Sequence, residues 1–89
     1  MRPVALDNGL SVVLSREGEG RYVAHLCAST RGRVRIGLVL GGRRHWTAEP
    51  IGRHPSLHAS SRTLAARQLG HWSLTQPGGR QLAEGNSRR

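Results

Sequence analysis

The chain has 89 residues, 36% of them hydrophobic, and a formal net charge of +9, which fits one small domain with a modest core. All 14 Lys/Arg positions are Arg, against five acids and one cysteine, Cys27, so an intramolecular disulfide and a cysteine-rich metal site are excluded. No signal peptide or membrane span is read from the sequence, and a cytoplasmic protein is expected. Arg in place of Lys fits a GC-rich coding sequence, but that bias does not remove acids. The surplus of positive charge therefore points to an anionic partner.

In chain order, Val4-Ala5-Leu6 and Leu10 to Leu14 flank Asp7-Asn8-Gly9. Asn-Gly tolerates the positive φ of a tight turn, so a hairpin is expected, with Leu10, Val12 and Leu14 facing inward. Arg16 to Gly20 reads as the next turn. Arg21 to Ser29 then alternates Tyr22, Ala24, Leu26 and Ala28 against Arg21, Val23, His25 and Cys27. Arg33 to Leu40 alternates Val34, Ile36, Leu38 and Leu40 against Arg33, Arg35, Gly37 and Val39. A three-residue loop at Thr30-Arg31-Gly32 pairs Ala28 with Val34, Leu26 with Ile36, Ala24 with Leu38 and Tyr22 with Leu40. A one-residue slip would turn these side chains to the other face.

Gly41-Gly42 is expected as a turn, His45 to Glu49 as a short strand, and Pro50 to Pro55 as a loop. From Ser60 the period becomes helical. Leu64, Ala65, Gln68, Leu69 and Trp72 share a face, with Arg62, Ala66, Arg67 and Gly70 largely opposite, and Ser60 or Ser61 as the N-cap. Residues 76–89 read as a flexible basic tail. The expected class is α+β. One domain over residues 1–75 has a meander of four to five antiparallel strands, with one C-terminal helix packed on it.

A helix on the Tyr22/Leu26/Ile36/Leu38 face leaves the other face open. That face carries Arg21, His25, Arg33 and Arg35, with Arg31 in the adjoining loop and Arg43 and Arg44 at the following turn. No acid is expected between them. Arginines on a small sheet can contact phosphates or pair with guanine in the major groove. Tyr22, Trp46 and Trp72 fall on inward faces, away from any stacking role, which favours a duplex over a single strand. DNA is favoured over RNA, and an acidic protein partner is the alternative.

The five histidines do not pair at zinc-site spacing. The carboxylates lie mostly in turns or the tail, and Gly41-Gly42-Arg43-Arg44 lacks the glycine spacing and lysine of a phosphate loop. Neither a cofactor, a metal nor catalysis is expected.

Residues 46–69 include Trp46 opening a strand, a Gly52-Arg53 turn, Leu57, and the run Ser60-Ser61-Arg62-Thr63-Leu64-Ala65-Ala66-Arg67-Gln68-Leu69. This stretch resembles the AP2-like DNA-binding domains of phage and transposon integrases. The resemblance implies a three-stranded sheet on one helix, with the open sheet face touching DNA. It covers no catalytic domain, so the expected function is that of a small DNA-binding accessory or regulatory protein of a mobile element.

Overall fold

The computed structural model describes residues 3–6, 9–28, 32–52 and 54–87. Six strands form one antiparallel sheet in chain order: β1 (Val4–Ala5), β2 (Ser11–Gly18), β3 (Arg21–Cys27), β4 (Arg33–Gly42), β5 (His45–Pro50) and β6 (Leu57–Ala59). Two helices follow, α1 (Arg62–Ser73) and α2 (Pro77–Ser87). The expected α+β meander is present, extended by one strand and one helix. β6 went unread because three residues are too few to show an alternation. The segment read as a tail from Gln76 carries α2, in which Leu82 lies against Gly32 and Gly79 against the Ser73 carbonyl.

The core lies between one sheet face and the helices. Val4, Leu10, Val12, Leu14, Ala24, Leu26, Ile36, Val39 and Ala48 are buried there with Ala65, Ala66 and Leu69. Ser61 caps α1 by accepting from the Leu64 backbone N–H at 3.1 Å, as such a hydroxyl should. The buried face of α1 differs from the expected one. Ala66 and Gly70 are buried, whereas Leu64 is 37% exposed. Gly70 sets this rotation: a Cβ added there would lie 2.7 Å from both Leu6 Cδ1 and Val12 Cγ2. The helix turns its smallest residues to the sheet because that is where the backbones approach most closely.

The β3–β4 register also differs. Leu26 pairs with Val34 and His25 with Arg35, but Ala24 pairs with Gly37 and Tyr22 with Val39. Ala28 N–H donates to the Gly32 carbonyl at 3.0 Å, so Gly32 closes the strand ends. Thr30 and Arg31 of the expected loop lie outside the described residues. Between the two registers, Ile36 and Gly37 are both buried, forming a bulge. Gly37 has φ 151°, and a Cβ on it would sit 2.2 Å from the Glu49 carbonyl oxygen, so a side chain does not fit. One extra residue exchanges the faces beyond it. Val39 therefore points into the core, and Leu38 and Leu40, expected inward, are half-buried on the opposite face.

The β4–β5 turn is Arg43-Arg44, since Gly42 pairs with His45. The glycines expected to make this turn belong to β4 instead.

Candidate nucleic-acid interface

Both helices pack on the same side of the sheet, which leaves the outer face uncovered among the described residues. The registers define its rows. Ser11, Cys27 and Arg33 form the first row. Val13, His25 and Arg35 form the second, and Ser15, Val23, Leu38 and Glu49 the third. Arg21, Leu40 and Thr47 form the fourth.

The arginines of this face fall into two groups. Arg33 and Arg35, at the start of β4, flank His25. Arg21 lies toward the other end, where Arg43 and Arg44 are exposed at the turn. From Arg35 to Arg43 is eight residues, or roughly 26 Å at about 3.3 Å per residue. Arg31 lies outside the described residues. Arg43 holds a left-handed backbone at φ 52°, and its carbonyl accepts from Trp46 Nε1 at 3.0 Å. That bond holds the turn against an indole packed on the core.

Arg33 Nη2 lies 3.2 Å from His25 Nδ1. A guanidinium can only donate, so this contact is a hydrogen bond in the tautomer that leaves Nδ1 bare to accept and carries the proton on Nε2. Burial pushes the His25 pKa below its ordinary value, and the Arg33 and Arg35 charges push it further. Neither guanidinium has a carboxylate partner among the described residues. Arg21 does: its Nε lies 2.9 Å from Glu17 Oε1, with both side chains about half exposed. Screening by water makes such a pair weak, so a competing anion can displace it.

Two features of this face differ from the expectation. Glu49 projects from it opposite Leu38, so the face is not free of acids. Between the two arginine groups, Val13, Val23, Leu38 and Leu40 form a half-exposed aliphatic strip. Val13 and Val23 lie on this face as the alternation implies, the bulge adds Leu38 and Leu40, and the one signal for that addition in the sequence is a glycine inside an otherwise regular strand.

Tyr22, Trp46 and Trp72 pack against the core, as expected. Arg62 donates to the Tyr22 hydroxyl at 2.6 Å, and its guanidinium carbon lies 4.9 Å from the Tyr22 ring centroid and 5.9 Å from that of Trp46. It serves the fold on the inner side. Arg67 and Arg80 are exposed on the helical side, so the positive charge is not confined to the sheet face.

Among the described residues no three His, Cys, Asp or Glu side chains gather as metal ligands. No helix there is long and apolar enough to cross a membrane. No known protein family, curated protein or solved structure matches the chain.

Proposed function

We propose that the protein binds duplex nucleic acid, DNA before RNA, through the outer face of its sheet, as an accessory or regulatory protein without catalysis of its own. The observation that carries this reading is the pair of guanidiniums, Arg33 and Arg35, which flank His25 on a face that, among the described residues, gives them no carboxylate partner and no cover. Arg21, Arg43 and Arg44 supply further positive charge toward its other end. A sheet fits a B-form major groove, whereas the major groove of an RNA duplex is too deep and narrow.

A mobility-shift titration on a mixed-sequence DNA duplex at two salt concentrations tests the proposal. Affinity is expected to fall steeply with salt, with a log–log slope near −0.9 per phosphate neutralised. Arg33→Ala/Arg35→Ala should weaken binding on the order of tenfold at low salt and flatten the slope by roughly two. Absence of wild-type binding at low salt ends the nucleic-acid reading. A double variant that binds as well as wild type ends the assignment to this face.

The aliphatic strip favours a second reading, in which the same face engages an acidic protein. Protein interfaces put aliphatic side chains at the centre and use arginine freely. Val23→Ser/Leu38→Ser discriminates, because phosphate contacts should survive it and an interface centred on the strip should not.

A further inference from the structure

We propose that His25, Arg33 and Arg35 form a phosphodiester site that takes up a proton when it is filled. The inference rests on the nucleic-acid reading above and adds to it a specific subsite and a pH dependence.

The geometry supplies the argument. His25 lies in β3 directly opposite Arg35 of β4, with Arg33 two residues along the same face. In the unliganded protein the Arg33–His25 contact is a stopgap: a donor that cannot accept satisfies the imidazole lone pair. That contact requires Nδ1 to be bare. Once Nδ1 carries a proton, two donors and two positive charges oppose each other at 3.2 Å, and the guanidinium must swing away. An anionic oxygen placed between them accepts from both and reverses the sign of the interaction. A phosphodiester has two such oxygens and can take Arg35 as well.

The groups facing His25 are few. Val13 lies beside it on β2, flanked by Ser11 and Ser15. Val23 and Cys27 flank it on β3, and Arg33 and Arg35 face it from β4. Among the described residues no carboxylate faces His25, and both helices lie on the opposite side of the sheet. The charge that would stabilise an imidazolium must therefore come from the ligand.

The sign follows. In the free protein burial, and then the Arg33 and Arg35 charges, push the His25 pKa below its ordinary value. A bound phosphate raises its proton affinity, so binding strengthens as pH falls. Each unit of upward shift allows up to a tenfold gain.

The test measures duplex binding at pH 8.0 and pH 6.0 at fixed salt for wild type, His25→Gln and the exposed helical control His71→Gln. In parallel, the His25 ring is titrated by NMR with and without duplex, its signal assigned from the His25→Gln spectrum. Wild type and His71→Gln should bind on the order of five- to tenfold tighter at pH 6.0. His25→Gln should lose most of the gain between pH 8.0 and pH 6.0, whatever its affinity at pH 8.0, and the duplex should move the His25 midpoint upward. A pH dependence that is absent, or equal in wild type and His25→Gln, overturns the proposal. So does an equal midpoint shift with poly-glutamate, which would mark a carboxylate site. If no duplex binds, dimethyl phosphate against chloride at matched ionic strength decides separately. An upward His25 shift keeps the site while the nucleic-acid reading falls, and no shift removes both.

Discussion

Arg62 opens α1, where a positive charge opposes the helix dipole. It is held there by the Tyr22 hydroxyl and by the faces of Tyr22 and Trp46. Arg62→Ala should therefore cost about 1–2 kcal/mol of stability, read as a lower midpoint in thermal or urea unfolding, and leave duplex affinity within about twofold. His25 makes the opposite kind of prediction. Its folded-state pKa is depressed below the unfolded value near 6.5, so between the two values the unfolded chain binds more protons. The stability this residue contributes is present above the unfolded pKa and is lost as pH falls through the folded one. Urea midpoints measured from pH 7.5 down to pH 5 should fall along this limb, and His25→Gln should flatten it. Duplex binding responds to the same acidification with the opposite sign.

At the level of elements, the β4 bulge decides what the outer face looks like. Gly37→Ala puts a side chain at a positive φ against the Glu49 carbonyl, and should cost about 2 kcal/mol or more. Amide exchange should then accelerate first in β4 and β5. Strand identity was legible in the sequence because Tyr22, Ala24 and Leu26 recur at every second position, with Arg21 and His25 on the other side, and the helix start because Ser61 precedes a helical period. The exchange of faces was not legible. Leu38 and Leu40 continue the alternation of Val34 and Ile36 without a break, and only the close approach of β5 at Glu49 makes Gly37 an insertion. The buried face of α1 was misread for a related reason. Hydrophobicity ranks Leu64 above Gly70, but the distance between helix and sheet selects for small size. The arginines at the start of β4 could be placed because they precede the bulge, so their parity with His25 is kept.

For the whole molecule, a net charge of +9 gives every surface some attraction to a polyanion, and exposed Arg67 and Arg80 carry part of it on the helical side. Specific use of the sheet face requires unequal effects of equal charge removal. Arg67→Ala/Arg80→Ala should reduce duplex affinity at least threefold less than Arg33→Ala/Arg35→Ala at the same salt, measured by the same titration. Equal losses would mean diffuse attraction without a site. The sheet order has a further consequence, for how the chain is made. Each strand pairs only with its neighbours in sequence, so the pairing contacts span short stretches of chain and favour rapid hairpin-by-hairpin assembly. During synthesis the sheet can be laid down as it emerges, yet its apolar side stays bare until α1 follows. A chain stopped before Ser61 should therefore form strands and aggregate, and one stopped after α1 should stay dispersed.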